Sequence, residues 1–394
     1  MSGMFQKKYK DEMIFLTGWT LFVVSVILGL VEVFETNKSL SMCLKIIRYI
    51  GYLTCVLKII VTCIKKKNFF SIFPFIFVLL VSMYKSSNKT LFLYSLVFLA
   101  ANNISAKRIM KTTLVIQGTI LLFTILFSQV GIIRDFLFVR NENLGIYRHS
   151  LGFSWTTSAP ILFFYCILIY IYLKRNKISI ITYVILEGIN VWLYLETNSR
   201  MAFLLSSLTI FFMMIQKLNK KRWKWFSKMD KLFIFLPFIA CGISFLSFKL
   251  FNSDNFCWAK ADKLLSGRLT LGASAIKKYG FSLFGQNIEW IGYSVNKLDS
   301  IGYNYVDNSY LQLGLTYGLL VLFAVLIIYS LVMYKAIRYK DYYLVCIVAI
   351  ILLFSITEPR LMNLAFNPFP LLFFSNVSMP NDYSYHLNFI KNNK

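Results

Sequence analysis

The sequence predicts an all-α, polytopic integral membrane protein, a single membrane domain over residues 1–394 with about 12 transmembrane helices. Hydrophobic residues make up 58% of the chain and charged residues only 15%, against about 25% in a soluble domain. Apolar runs of roughly 20 residues, the length that crosses a bilayer, recur along the chain. These observations exclude a soluble globular enzyme, a disordered chain and a fibrous protein.

Twelve apolar runs are the candidate transmembrane helices. They cover 13–34, 40–64, 69–84, 90–105, 112–130, 153–173, 178–196, 201–216, 232–250, 309–334, 342–357 and 362–378. The first, sixth, tenth and eleventh runs are the clearest. The second run carries Lys45, Arg48 and Lys58. The last contains Pro368 and Pro370, so we expect it to be kinked or partly re-entrant.

The distribution of Lys and Arg predicts the orientation. With the N-terminus inside, 24 of the 42 Lys and Arg residues fall on inner segments and eight on short outer loops. Positive charge marks the cytoplasmic side, so we expect a multi-pass protein of the cytoplasmic membrane with both termini cytoplasmic. Residues 251–308 form one large extracytoplasmic loop. The net charge of +25 therefore indicates topology in a lipid bilayer, and we expect no nucleic-acid partner.

The sequence lacks the signatures of several enzyme classes. The chain has no Gly-rich phosphate loop, no Cys or His pattern with metal-ligand spacing, and only two histidines. These patterns argue against an ATP-driven pump, a zinc enzyme or a nicotinamide enzyme. We therefore expect no cofactor and no metal site.

Polar residues collect in five patches, all on the predicted outer side. Arginine is enriched there, and its planar guanidinium grips phosphate or carboxylate in a bidentate manner. Acids accompany the arginines, which favours a site that holds an anion and performs acid–base chemistry. The patches are 148–153, 196–200, 266–285, 307–314 and 358–367.

Each patch also allows a purely structural interpretation. The pattern from Asp307 to Ser309 is typical of a helix cap, and Glu358 next to Arg360 is typical of an ion pair. Glu196 and Arg200 are four residues apart, so a continuous helix would pair them. We favour a functional role for Arg200, Arg268 and Asp307, and a structural role for His149 and Glu196.

The ordered set of patches resembles the Wzy-type polysaccharide polymerases of the O-antigen ligase/polymerase family. The likeness runs from about residue 145 to 370, and the N-terminal spans match only in hydropathy. The residues that carry it are Arg148-His149-Ser150-Leu151-Gly152-Phe153, Asn198-Ser199-Arg200, Ser266-Gly267-Arg268-Leu269, Leu283-Phe284-Gly285, Asp307-Asn308-Ser309-Tyr310, Asn363 and Asn367.

The resemblance implies a GT-C-like membrane glycosyltransferase with an extracytoplasmic active site. Such an enzyme polymerises undecaprenyl-diphosphate-linked oligosaccharide repeat units into a capsular polysaccharide or exopolysaccharide. It implies no nucleotide sugar and no metal. Flippase and chain-length regulator proteins are the partner proteins that the family implies.

The resemblance and the patches together give the candidate site residues. We expect Arg148, Arg200 and Arg268 to hold the diphosphate, which gains charge as it leaves. Asp307 is the first candidate for the general base, followed by Glu358 and His149. Asn308, Tyr310 and Asn363 are the further substrate-binding candidates.

Two departures from the family pattern limit the resemblance. O-antigen ligases have His-Asn where this chain has Asp307-Asn308, which argues against ligase chemistry. The interval from Arg268 to Gly280 is one residue longer than in some polymerase loops, so Gly280 is not assigned a role.

Three other functions remain as alternatives. The first is a lipid-linked oligosaccharide flippase or transporter, although the chain shows no repeat between its halves. The second is an O-antigen-ligase-like transferase, and the third is a peptidoglycan polymerase of the shape, elongation and division type.

Overall fold

The computed structural model describes residues 2–63, 73–141, 146–218, 228–292 and 302–375, and within them the chain is mostly helical. This confirms the predicted helical class. The helices are α1 Ser2–Leu28, α2 Glu32–Thr36, α3 Lys38–Cys63, α4 Phe73–Ser86, α5 Thr90–Ala100, α6 Ala106–Gln129, α7 Ser158–Lys174, α8 Ile180–Thr197, α9 Arg200–Leu218, α10 Asp230–Lys249, α11 Phe256–Leu264, α12 Arg268–Tyr279, α13 Ser309–Gln312, α14 Leu319–Arg338 and α15 Tyr342–Phe354. One antiparallel hairpin pairs β1 Leu137–Asn141 with β2 Ile146–His149.

Seven of the described helices are long and apolar enough to cross a membrane. They are α1, α6, α7, α8, α9, α10 and α14. Helices α4, α5 and α15 are apolar but shorter. The second predicted span is one continuous helix of 26 residues, α3, and two of the span's three charged side chains, Arg48 and Lys58, bond to backbone carbonyl groups. Lys58 Nζ donates to the carbonyl oxygen of Asn102 at 2.7 Å, and Arg48 Nη2 donates to that of Ser25 at 3.3 Å.

The long helices run up and down, so that alternate connections meet at the same end. At one end, which we call the cavity end, Ser154 N donates to Leu30 O and Ser309 N to Ser355 O. At the opposite end, Arg108 pairs with Glu12 at 2.9 Å and Arg175 with Asp341 at 2.6 Å. At these four contacts, described residues that are predicted to be extracytoplasmic meet at one end, and described residues that are predicted to be cytoplasmic meet at the other.

The core is centred on α7 and α15. Fourteen of the 17 residues of α7 are buried, so it is apolar around its whole circumference, as a helix surrounded by others must be. Phe164 of α7 packs against Phe354 of α15, with ring centroids 4.6 Å apart. Phe354, at the carboxyl end of α15, also lines the cavity described below. This aromatic pair therefore connects the core to the wall of that cavity.

The tenth and twelfth predicted spans differ from regular helices. Run 309–334 is not one continuous helix. After α13, one π-helical turn covers Leu313–Tyr317, and the non-helical backbone of Gly318 separates this turn from α14. Run 362–378, as far as it is described, is a series of turns ending in the 3-10 helix Phe369–Phe373. This segment is largely buried, and Gln117 Nε2 of α6 donates to the carbonyl oxygens of Ala365 and Phe366. Neighbouring helices thus satisfy its irregular backbone, which explains how the predicted kink is tolerated.

Gly318 allows the break before α14. It adopts φ 94° and ψ 163°, a conformation essentially restricted to glycine. A Cβ atom there would lie 2.4 Å from the carbonyl oxygen of Leu283 and from the nitrogen of Gly285. The backbone of loop 282–286 can approach the backbone at Gly318 this closely only because Gly285 and Gly318 both lack side chains.

We expect Gly318→Ala to destabilise the protein by about 2 kcal/mol or more, since it combines backbone strain with a clash that no rotamer relieves. Thermal unfolding of the detergent-solubilised protein measures the loss. The matched control is Gly118→Ala in α6, where an added Cβ meets no atom within 4 Å. Equal melting temperatures for the two variants would contradict the role of Gly318.

Candidate active site

A cavity of about 490 Å³ opens at the cavity end, between α7, α9, α12 and the segments that flank α13 and α15. Ionisable side chains dominate the polar part of its lining. They are the four arginines Arg148, Arg200, Arg268 and Arg360 and the three acids Glu35, Asp307 and Glu358. Among these seven side chains, the cavity brings together residues that are up to 325 positions apart in the chain, from Glu35 to Arg360.

Arg148 is placed by the β-hairpin. It lies on β2 opposite Phe138 of β1, and its Nε donates to the carbonyl oxygen of Thr197 at 2.7 Å. Asp135 closes the base of the hairpin, because its carboxylate accepts from the backbone nitrogen of Leu151 at 2.7 Å and from the hydroxyl of Ser150 at 3.1 Å. The hairpin thus holds Arg148 against the end of α8.

Arg200 is placed by a tight turn between α8 and α9. Asn198 ends α8 in the left-handed conformation, with φ 49° and ψ 39°, which asparagine tolerates better than most residues. Arg200 is therefore the first residue of α9, so Glu196 and Arg200 lie on different helices and the continuous helix that could pair them does not form. The Arg200 side chain is exposed, and within the described ranges no hydrogen bond or ion pair engages its guanidinium.

Arg268 follows another left-handed turn. Gly267 adopts φ 81° between α11 and α12, and Asp262 caps α12 by accepting from the backbone nitrogen of Leu269 at 2.8 Å. Arg268 is the first residue of α12, and its Nε binds Asp307 Oδ2 at 3.1 Å. This ion pair links the interior of the predicted large loop to its carboxyl-terminal end at the cavity wall.

Asn308 and Ser309 hold the segment that carries Glu358. Asn308 Nδ2 donates to the carbonyl oxygen of Ile356 at 2.7 Å, and Ser309 Oγ donates to that of Glu358 at 2.6 Å. Asn308 also caps α13, since its Oδ1 accepts from the nitrogen of Leu311 at 2.8 Å. We call these bonds of Asn308 and Ser309 to the 356–358 segment the clamp. Asp307 directly precedes Asn308, so the clamp fixes Asp307 near Glu358.

Glu358 is the most buried acid of the cavity, with 8% of its surface exposed. Its Oε1 binds Arg360 Nε at 2.8 Å. Burial raises the pKa of Glu358 above its ordinary value, and nearby Asp307 adds to the rise. Arg360 and Arg268 oppose it, but the desolvation of the carboxylate is the larger effect. A carboxylate with a raised pKa is a stronger base than an exposed one.

Three helix N-termini also reach the cavity. The lining includes Ser158 of α7, Arg200 of α9 and Arg268 of α12, each the first residue of its helix. The first turn of a helix carries backbone N–H groups without intrahelical partners and the positive end of the helix dipole. Asp262 already accepts from the backbone nitrogens of Leu269 and Thr270 in α12. The ends of α7 and α9, together with the arginines, therefore make the cavity suited to an anion such as phosphate.

The cavity includes five of the nine residues selected from the sequence. Arg148, Arg200, Arg268, Asp307 and Glu358 line it. The other four, His149, Asn308, Tyr310 and Asn363, do not line it.

Those four residues have other surroundings. His149 binds Asp135 through Nδ1 at 2.6 Å, and its Nε2 lies 3.9 Å from Glu196. Tyr310 is fully buried, with its hydroxyl donating to Leu352 O at 2.8 Å. Asn308 is buried in the clamp described above. Asn363 lines a separate cavity of about 150 Å³. The expected substrate-binding roles of Asn308 and Tyr310 are therefore corrected to positioning roles, because their polar groups are used within the fold.

Glu35 and Arg360 line the cavity but were not selected from the sequence. Arg360 adjoins Glu358 in the fifth polar patch, and that proximity was its available signal. Glu35 lies on the predicted outer side but outside the region of family resemblance. Its place in the cavity depends on tertiary contacts that no local pattern indicates. Aromatic residues complete the lining, among them Trp155, Tyr303 and Tyr305.

Comparison with known proteins adds no relative: no family model, no curated protein and no solved structure matches this chain.

Proposed function

We propose that this protein polymerises undecaprenyl-diphosphate-linked oligosaccharide repeat units into a surface polysaccharide, as a membrane glycosyltransferase. The single observation that carries the proposal is the shared cavity. The cavity is lined both by Arg148, Arg200 and Arg268, a residue type that binds phosphate groups well, and by Glu358, a buried carboxylate with a raised pKa. Such a combination suits transfer of a sugar from a diphosphate to a hydroxyl group.

The reaction exchanges one bond for another. The bond between the anomeric carbon of the growing glycan and the oxygen of its lipid diphosphate breaks. A hydroxyl oxygen of the next repeat unit forms the new glycosidic bond to that carbon, and the hydroxyl proton passes to a carboxylate. The leaving group is the polyprenyl diphosphate, which takes the bonding electron pair.

The lining residues divide between two tasks. Arg200 has no partner among the described residues, and Arg148 lines the same cavity, where its Nε donates to the carbonyl oxygen of Thr197. We assign both arginines to the leaving diphosphate, where charge develops. Arg268 and Arg360 are each paired with an acid. These pairs position Asp307 and Glu358. We assign Arg268 a second role, as a further contact to the diphosphate.

Glu358 is the general base in this proposal, ahead of Asp307. Both acids are near a guanidinium, but Glu358 is the more deeply buried, and burial raises its proton affinity. His149 becomes a positioning residue, since its contacts are with Asp135 and Glu196 rather than with the cavity.

The cavity end is extracytoplasmic in this proposal, and both termini are cytoplasmic in the plasma membrane. The support is the agreement between the two ends of the helix bundle and the two sides assigned from Lys and Arg. About 12 passes and a GT-C-like arrangement belong to the same proposal. The lipid bilayer and the lipid-linked oligosaccharide are its partners, with flippase and chain-length regulator proteins acting before and alongside it, and it needs no cofactor.

Deletion of the gene in its host tests this function against that of a flippase. We expect long polysaccharide to disappear while single lipid-linked repeat units accumulate on the outer surface, where a membrane-impermeant oxidant of sugar diols reaches them. Accumulation of units that the oxidant cannot reach would instead indicate a flippase. Full-length polysaccharide that fails only to attach to its final acceptor would indicate a ligase.

A further inference from the structure

Glu35 is the one acid of the cavity lining that the proposed chemistry leaves without a role. Its side chain is partly exposed and lines the cavity from α2. In the part of the chain that the structure describes, no hydrogen bond or ion pair engages its carboxylate. Asp307 and Glu358, by contrast, each bind an arginine. Glu35 is therefore the carboxylate that is available to a ligand.

The backbone fixes Glu35 in this place. Val31 forms an isolated antiparallel bridge with Phe153, Ser154 N donates to Leu30 O at 2.9 Å, and Glu32 N donates to Gly152 O at 3.0 Å. These bonds attach the turn between α1 and α2 to the segment that follows Arg148. A side chain held by such a framework contributes a preorganised contact.

Glu35 is partly exposed whereas Glu358 is 8% exposed, so the Glu35 carboxylate is the more accessible of the two. A free carboxylate repels a diphosphate, but it accepts strong hydrogen bonds from hydroxyl groups. Trp155, on the segment bonded to the α1–α2 turn, also lines the cavity and offers an amphipathic ring. A carboxylate and an aromatic ring on joined segments match the hydroxyl groups and the apolar face of a sugar.

We infer that Glu35 binds hydroxyl groups of the substrate's sugar portion in the cavity and so contributes to selection of the repeat unit. This inference rests on the proposed function. It assigns substrate recognition to the N-terminal part of the chain, which lies outside the region of family resemblance.

The test compares Glu35→Ala with Glu32→Ala in the full-length protein in proteoliposomes. Glu32 lies on the same helix, one turn earlier, outside the cavity lining, and its Oε1 accepts from Thr36 Oγ1 at 3.3 Å. The substrate is lipid-linked oligosaccharide extracted from a host strain that lacks this gene. Two inhibitors serve as probes: the oligosaccharide released from that extract by mild acid, and inorganic pyrophosphate.

We expect Glu35→Ala to raise KM about tenfold or more, the size expected for one hydrogen bond to a charged group, while kcat changes less than threefold. Inhibition by the free oligosaccharide should weaken equally, and inhibition by pyrophosphate should stay at the wild-type level. Glu32→Ala should match the wild type in all three measurements.

Two results would overturn the inference. If Glu35→Ala and Glu32→Ala have the same KM and the same sensitivity to oligosaccharide, Glu35 does not bind the sugar. If kcat collapses at constant KM, Glu35 acts at the reacting atoms instead. Absence of elongation by the wild-type protein would be a failure of the proposed function, which the same experiment reports separately.

Discussion

Replacing Arg200 with alanine is expected to lower kcat by about 100- to 1000-fold, the usual effect of removing one preorganised donor from a developing negative charge. Arg200 is exposed at the start of α9 and lines the cavity. Its guanidinium has no partner among the described residues, so its removal leaves no buried charge uncompensated. The melting temperature should therefore stay close to that of the wild type.

Arg134→Ala is the matched control for Arg200→Ala. Arg134 is an exposed arginine at the same end of the molecule, outside the cavity lining, with its guanidinium 4.7 Å from the centroid of the Phe136 ring. We expect it to retain wild-type activity. Arg200→Lys should recover part of the rate, because it restores the charge but not the bidentate geometry. Equal rates for Arg200→Ala and Arg134→Ala would remove Arg200 from the site.

Replacing Glu358 with glutamine is expected to lower kcat by about 100- to 10,000-fold, the usual contribution of a general base. A base works only when it is ionised. Because burial raises the pKa of Glu358, the wild-type rate should fall with decreasing pH at a higher pH than an ordinary glutamate would give. The residual rate of Glu358→Gln should lack this acidic limb.

Two further variants separate Glu358 from its alternatives. Glu289→Gln changes an exposed acid of the predicted outer loop that does not line the cavity, and it should leave the pH profile unchanged. Asp307→Asn disturbs the pair with Arg268 and should lower the rate while keeping the acidic limb. If Asp307→Asn abolishes the limb and Glu358→Gln keeps it, the base is Asp307.

The helical class could be predicted because an apolar run of about 20 residues is recognisable from local composition alone. The break at Gly318 was not predicted, since run 309–334 is mostly apolar and long enough for one continuous helix. Its cause is the approach of the backbone around Gly285 from a distant part of the chain. Local hydrophobicity cannot report such a contact.

Charged residues at the ends of apolar helices predicted the candidate site better than uncharged polar residues did. Arg200 and Glu358 are polar residues at the ends of apolar helices, and the structure places both in one cavity. Asn308 and Tyr310 carry the same sequence signal, yet their side chains bond backbone carbonyl groups. Glu35 could not be selected, because the β-bridge between Val31 and Phe153 that positions it joins residues 122 positions apart.

The most direct test of the central claim is the stoichiometry of bond formation in a purified system. The wild-type protein in proteoliposomes is given one lipid-linked repeat unit as its only substrate, and glycan length and free polyprenyl diphosphate are measured together. We predict a ladder of longer lipid-linked glycans and one polyprenyl diphosphate released for each linkage formed. Repeat units that cross the bilayer without growing, with no polyprenyl diphosphate released, would contradict the proposal.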